Sequence, residues 1–263
     1  MSTILDEIVA NRREEVLARK RLISVSELEA KTDFSVIRNS LSTRLLIPGN
    51  SGIIAEFKRR SPSKGVINDL VQPEIVTRGY ADAGASGISV LTDNRYFGGS
   101  DADFIVSRKA NPLIPMLRKD FMVDEYQLFE SRFLNADVIL LIAAVLAKDE
   151  ISRFTSIAHE LGMEVLIELH DESEIDKIDK RVDLIGINNR NLKDFKVDMD
   201  RSLKLLGQLP AQTVKISESG LSDPETVDYL RVRGFNGFLM GENFMKTGDP
   251  TQTCADFISR LKH

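Results

Sequence analysis

Residues 137–169 read "DVILLIAAVLAKDEISRFTSIAHELGMEVLIEL". Two apolar, β-prone runs, 137–142 and 164–169, flank a stretch at 148–163 (KDEISRFTSIAHELGM) whose apolar residues recur at helical spacing. Gly162 stands where a helix ending there takes its C-cap. Strand, helix, strand over this length predicts a parallel pair joined by a right-handed crossover. The pattern repeats in both directions. Further apolar runs lie at 53–57 (IIAEF), 87–91 (GISVL), 113–117 (LIPML), 183–187 (DLIGI), 213–217 (TVKIS) and 236–240 (NGFLM). Helix-patterned stretches occupy 73–85 (PEIVTRGYADAGA) and 223–235 (DPETVDYLRVRGF), with Pro224 at a first helical position and Gly84 and Gly234 at C-cap positions. Eight strand–helix units in roughly 210 residues is the count of a (β/α)8 barrel. The rival is an open doubly wound sheet, but no G-x-G-x-x-G follows the first strand.

Ahead of the first strand, Ile4, Ile8, Val9, Val16 and Leu17 follow helical spacing, and Ser24 with Glu27 makes a capping box for a second short helix. No Pro/Gly/Ser-rich linker divides the chain. The expectation is an α/β protein, a (β/α)8 TIM barrel with an N-terminal helical extension: one domain, 1–263, with the extension at 1–48 and the barrel at 49–263. With 263 residues, 42% of them hydrophobic, there is enough for one large core. The net charge of −5 gives no global field for nucleic acid. The single cysteine, Cys254, cannot form an internal disulfide and fits a reducing compartment. The N-terminus lacks the apolar centre of a signal peptide, and the longest apolar run, 138–147, is too short to span a bilayer. A soluble, cytoplasmic protein with no membrane partner is expected.

In a barrel, chemistry sits at the carboxyl ends of the strands. There the first strand carries Glu56 and Lys58 on one face, the third Lys119, the fifth Glu168, the sixth Asn188 and Arg190, and the seventh Glu218 and Ser219. A lone ionisable residue at a strand end is ordinarily a salt bridge. Two lysines, three glutamates, an asparagine and an arginine at one rim read as an active site, because ionised groups are costly to bury without partners. Glycine turns follow the seventh strand (SESGLS, 217–222) and the eighth (MGENF, 240–244), where barrels often bind phosphate through backbone N–H groups. The fourth strand ends in apolar residues, and Leu141, Ala143 and Ala144 are read there as a wall for an aromatic ring, as is Phe121. His159 reads as a surface residue; His170 follows the fifth strand, within reach of the site, and reads first as structural. No histidine pair has metal-ligand spacing. The run "NRREEVLARKR" (11–21) reads as a solvated helix face. These residues leave open an aldolase with a lysine Schiff base and a non-catalytic binding barrel. Borohydride trapping separates the first; the acid–base groups argue against the second.

Several stretches together resemble the indole-3-glycerol-phosphate synthase family. They are "IIAEFKRRSPSKG" (53–65), "GASGISVLTDNRYFGGS" (84–100), "LRKDFMVDEYQL" (117–128), "ADVILLIAA" (136–144), "GINNRNL" (186–192), "SESGL" (217–221) and "GFLMGENFMK" (237–246). The resemblance implies a (β/α)8 barrel with an N-terminal helical segment. It implies a small-molecule partner, the phosphosugar-anthranilate 1-(2-carboxyphenylamino)-1-deoxyribulose 5-phosphate, converted to indole-3-glycerol phosphate, CO2 and water. It implies no metal or organic cofactor, and a monomer or weak homo-oligomer. Lys119 resembles the principal general acid and Glu168 its proton-transfer partner. Lys58 resembles a substrate contact and second acid, and Glu56 a base. Asn188 and Glu218 resemble residues orienting substrate hydroxyls and carboxylate, with Arg190 close by. Ser61, Ser219, Gly220 and Gly241 resemble the phosphate contacts.

Two positions depart from the family pattern. Glu125 stands where many members have proline, and Glu242 where some have serine, so a carboxylate follows Gly241 beside the expected phosphate. The chemistry itself asks for cations around an anionic substrate, and Lys58, Arg59, Arg60, Lys64, Lys119 and Arg190 offer them. Residues 59–65 read as a mobile, anion-binding lid. A lysine crowded by cations or partly desolvated has its pKa lowered toward neutrality, with a nearby glutamate opposing the shift.

Overall fold

The computed structural model describes residues 3–190 and 196–262; Asn191 and Leu192, at the end of the family-like stretch 186–192, lie outside them. Eight parallel strands pair in chain order: β1 (Ile53–Phe57), β2 (Gly87–Leu91), β3 (Met116–Lys119), β4 (Val138–Ile142), β5 (Glu164–Leu169), β6 (Leu184–Asn188), β7 (Val214–Glu218) and β8 (Gly237–Met240). β8 closes the barrel on β1, with Ile54 opposite Leu239. The helices are α1 (Ile4–Leu22), α2 (Val25–Lys31), α3 (Leu41–Leu46), α4 (Pro73–Asp82), α5 (Asp101–Ala110), α6 (Tyr126–Phe133), α7 (Lys148–Glu160), α8 (Met199–Leu206), α9 (Pro224–Arg231), α10 (Glu242–Met245) and α11 (Pro250–Ser259). Every strand but one falls within a residue of its expected ends. The exception, β3, begins at Met116 instead of residue 113. Pro112 and Pro115 have no N–H to give a ladder, so pairing starts only after them.

The barrel interior is filled by Ile54, Leu117, Val138, Leu140, Leu166, Leu184, Val214, Ile216 and Leu239, with Leu41 and Leu45 of α3 in the same cluster. α3 crosses the amino ends of the strands. A Cβ on Gly87 would come within 2.7 Å of Leu41, and one on Gly237 within 3.0 Å of Leu45, so these glycines make room for the plug. Glu164, at the start of β5, accepts hydrogen bonds from Ser40 Oγ (2.6 Å), Leu41 N (2.8 Å) and Ser42 N (3.0 Å). A carboxylate there satisfies the first free N–H groups of α3. The strands' outer faces pack against the helices. Leu141 and Ala143 belong to that outer layer and Ala144 is exposed, so the inward wall of β4 is Leu140 and Ile142. The expected ring wall was displaced by one residue, which on a strand means the opposite face.

The charged run in α1 is not a solvated face throughout. Arg12 is 1% exposed and sits 2.8 Å from Asp93 and 2.9 Å from Asp120, both buried. Asp120 also accepts from Thr92 Oγ1 at 2.6 Å and lies 3.4 Å from the buried Arg118. Arg19 pairs with Asp101 at 3.1 Å and Lys20 with Asp124 at 3.0 Å. Thus α1 is tied to the loops after β2 and β3 by a buried ion cluster around Arg12, flanked by the half-exposed Arg19 and Lys20 pairs. Removing one partner from such a cluster costs about 3–5 kcal/mol, because it strands a buried charge.

Candidate active site

One cavity opens at the carboxyl ends of the strands. Its lining includes Glu56, Lys58, Ser61, Lys119, Phe121, Glu168, Asn188, Arg190, Glu218, Ser219, Gly220 and Gly241, all of them expected from the sequence, but not Leu141, Ala143, Ala144, Arg59, Arg60 or Lys64. At its centre the Lys119 ammonium lies 2.5 Å from Glu168 Oε2 and 2.8 Å from Glu218 Oε2. Strands β3, β5 and β7 supply these three side chains, each at an inward position at its strand's carboxyl end. Beside them, Lys58 Nζ lies 2.7 Å from Glu56 Oε1. Asn188 donates to Glu168 Oε1 at 3.1 Å and accepts from the Arg190 backbone N–H at 3.0 Å.

Glycine makes the carboxylates fit. A Cβ on Gly186 would meet Glu218 Oε1 at 2.1 Å, and one on Gly241 would meet Glu56 Oε1 at 2.7 Å and Glu56 Cβ at 2.9 Å. Gly241 therefore makes room for a carboxylate as well as exposing its own backbone. After β7, Ser219 and Gly220 have φ of 70° and 72°. A serine in the left-handed region holds about 1–3 kcal/mol of strain, of the kind that clusters at ligand-binding turns.

Burial alone would depress the Lys119 pKa, but Glu168, Glu218 and Glu56 outweigh it and hold the ammonium above the ordinary lysine range. The expected lowering is thus reversed, because two carboxylates and not a neighbouring cation contact Nζ. Burial would raise Glu168, yet Lys119 and His170 pull it well below the carboxylate range. Glu218 goes the other way: burial raises it, Lys119 lowers it, and the Glu168 charge raises it again, to about 7. One ammonium cannot fully neutralise two buried carboxylates, so one stays ionised and the other takes up a proton near neutrality.

The loop after β1 forms a two-residue antiparallel ladder, Arg60–Ser61 with Gly65–Val66. Ser61, Pro62 and Ser63 line the cavity. Arg59 points elsewhere: its guanidinium grips Asp103 at 2.6 and 2.9 Å and stacks 4.9 Å over the Phe57 ring. Arg60 donates to the Asn94 carbonyl at 3.1 Å. These two arginines anchor the loop and do not face the cavity. Its cations are Lys58, Lys119 and Arg190, with Lys64 at the rim 3.8 Å from Glu242. Glu242 also lies 3.4 Å from Arg190, so its carboxylate bridges the loops after β1 and β6.

One contribution escaped the sequence reading and another was underweighted. Ile4, Leu5 and Ile8 of α1 line the mouth, making the extension part of the site. His170 also lines it, with Nε2 3.0 Å from Glu168 Oε1. Its position two residues after Glu168, on the same strand face, was the available signal. Among the described residues, no three His, Cys, Asp or Glu side chains are grouped to hold a metal ion, and no helix is long and apolar enough to cross a membrane.

A closed barrel whose strand ends converge on a lysine between two glutamates defines a (β/α)8-barrel enzyme with an acid–base site. A family model described as indole-3-glycerol phosphate synthase matches residues 5–257. The indole-3-glycerol phosphate synthase of Bacteroides thetaiotaomicron is 48% identical over 264 residues, covering 100% of both chains. That of Laribacter hongkongensis is 45% identical, covering 98% of this chain and 100% of its own. The chain belongs to the indole-3-glycerol phosphate synthase family. Among solved structures, the tryptophan synthase α subunit of Legionella pneumophila superposes with TM-score 0.58 at 11% identity, over 79% of this chain and 89% of that one. A chain of the Pyrococcus furiosus tryptophan synthase complex does so with TM-score 0.59 at 16% identity, over 81% and 98%. These two share the barrel fold.

Proposed function

We propose that this site closes the indole ring, taking 1-(2-carboxyphenylamino)-1-deoxyribulose 5-phosphate to indole-3-glycerol phosphate with release of CO2 and water. It is a carboxy-lyase step of tryptophan biosynthesis. The observation that carries the reading is Lys119 held between Glu168 and Glu218 at the carboxyl ends of the barrel strands. As the ring carbon bearing the carboxylate attacks the ketone carbon, the ketone oxygen gathers negative charge. The Lys119 ammonium donates its proton there, while the ionised Glu168 beside it orients the amine and favours its reprotonation from solvent. The carboxylate leaves as CO2, returning its electron pair to the ring. The new hydroxyl then departs as water with a proton from Lys58, while Glu56 takes the proton lost from the sugar carbon. The aromatic ring rests on Leu140, Ile142 and Phe121, under the α1 residues Ile4, Leu5 and Ile8.

Glu218, with its pKa near 7, suits a particular task. In its protonated form it donates a hydrogen bond to a substrate oxygen, which a carboxylate cannot do. Asn188 and Arg190 orient the substrate beside it. The phosphate meets the backbone N–H groups of Ser219, Gly220 and Gly241 and the Ser61 hydroxyl. The protein works in the cytoplasm as a monomer or weak homo-oligomer, which gel filtration measures. Its lone cysteine, Cys254, is buried, in keeping with a reducing compartment. The direct test is incubation with the substrate while indole fluorescence is followed; the chain has no tryptophan to obscure it. No indole product from folded protein would end this reading.

A further inference from the structure

His170 reads from the sequence as structural, and the reaction above uses none of its atoms. Yet its side chain is 8% exposed and sits in the cavity wall two residues beyond Glu168. Its Nε2 lies 3.0 Å from Glu168 Oε1, the oxygen that Asn188 also reaches, while Lys119 holds Oε2. Neither ring nitrogen makes a well-aligned hydrogen bond within the protein: Nδ1 is buried without a partner, and Nε2 has only its close charge contact with Glu168. A histidine kept for packing alone ordinarily has both ring nitrogens satisfied, because an unmade buried bond costs about 1–3 kcal/mol. The ring is held instead by its backbone, whose N–H donates to Glu174 at 2.7 Å. The same strand offers a contrast. Glu164, at its other end, accepts four hydrogen bonds from the start of α3, none from a titratable group. Glu168 is instead held by an ammonium, an imidazole and an amide.

We infer that His170 is a positioning residue for the reaction: on one oxygen of Glu168 it is the counterpart of Lys119 on the other, keeping that carboxylate charged and aimed. The inference rests on the role given to Glu168 above. The charged groups facing the imidazole are Glu168 at the end of β5, Glu174 in the turn that follows, and Glu218 from β7; Lys119 lies beyond Glu168. Burial favours the neutral ring, but these three carboxylates outweigh it and raise the His170 pKa above its ordinary value. His170, its pKa raised, and Glu218, its pKa raised to about 7, thus flank a carboxylate that stays ionised. With the imidazolium present, Glu168 remains an acceptor well into acid; without it, Glu168 protonates earlier.

The test reads charge separately from packing. His170→Gln and His170→Phe are compared with the parent in the pH dependence of kcat/KM, with circular dichroism to verify folding. His159→Gln is the control, since His159 pairs with Asp183 at 2.9 Å on the outside of the barrel. The expected result is an acid limb moved to higher pH by about one unit in both His170 variants, the size of effect of one nearby opposite charge. kcat should fall at least about threefold and KM hardly change, and the His159 control should match the parent. Acid limbs that superimpose on the parent's in both His170 variants would overturn the inference. A second arm needs no turnover: the imidazole signals are titrated by NMR, with His170 assigned by its absence from His170→Gln. Its pKa should fall in Glu168→Gln, and a value unmoved by that change would overturn the pairing. A protein that makes no indole but shows the linked titration would refute the proposed reaction and leave the pair standing.

Discussion

Gly186 has no side chain, and Glu218 uses the space. In Gly186→Ala the new Cβ would lie 2.1 Å from Glu218 Oε1, 3.2 Å from its Cδ and 3.3 Å from a Leu166 methyl. An ordinary contact needs the carboxylate to withdraw by roughly 1 Å or to rotate. Either movement opens the 2.8 Å contact with Lys119 to about 4 Å, beyond hydrogen-bonding range. Stability should change little. The atom that must yield is the far end of a side chain, and overpacking of about 1–3 kcal/mol is partly offset by about 0.4–1 kcal/mol from replacing glycine in the unfolded chain. Activity should change much more, since a displacement of this size at a reacting centre costs roughly a hundredfold. Continuous indole fluorescence gives kcat and KM, and differential scanning fluorimetry gives Tm. We expect kcat down by about a hundredfold with Tm within a few degrees. In a Glu218→Ala background the same substitution should cost less than about threefold, because nothing is left to displace. A folded Gly186→Ala protein within about threefold of the parent kcat would refute the argument that this glycine seats Glu218.

Three further outcomes are expected. Lys119→Met keeps most of the bulk and removes the transferable proton, so kcat should fall at least about a hundredfold, with binding of a substrate analogue retained by calorimetry; turnover within about tenfold of the parent would sink the assignment. Glu218 has a folded pKa of about 7 against an ordinary 4.5, so keeping it ionised works against folding as pH rises through that interval. Glu218→Gln should therefore match the parent near pH 4.5 and be the more stable protein above pH 7 by urea unfolding, and the reverse order would contradict the assigned shift. Glu242 competes with an anionic ligand for Arg190 and Lys64; in Glu242→Gln, KM should drop by about two- to fivefold at unchanged kcat, the scale of a partly exposed pair, and a rise in KM would show that the carboxylate helps binding instead.

The barrel was legible because its strand–helix units are nearly uniform and its strands are bounded by clear breakers. What the sequence could not give was facing. In β1 and β5 the glutamates declare the inward face, so Glu56, Lys58 and Glu168 were assigned correctly to the cavity. In β4, "VILLI" is apolar on both faces, as a strand buried on both sides must be, and nothing marks Leu140 and Ile142 as the inward pair. Arg12 and Arg59 failed for a different reason. Their partners, Asp93, Asp120 and Asp103, are distant in the chain, and no local pattern tells a buried arginine from a solvated one. The same holds for Ile4, Leu5 and Ile8, whose spacing predicts a helix and not what it covers.

The tie between α1 and the barrel sets an order in time. Arg12 leaves the ribosome early, whereas its partner Asp93 lies 81 residues further along. At about 5–20 residues per second, the arginine waits several seconds for its first counter-charge from the barrel, longer for Asp120, with only Glu15 of its own helix to pair with at 2.8 Å until then. Until the loops after β2 and β3 exist, α1 has neither its ion cluster nor a cavity mouth to cover. Its docking therefore waits for β3 and the loop that follows it, but its partners are all made before β4 to β8 complete the barrel. Catalytic competence waits on barrel closure, which brings Glu218 to Lys119, and a refolding experiment that follows indole formation alongside circular dichroism would record the interval between secondary structure and a working site.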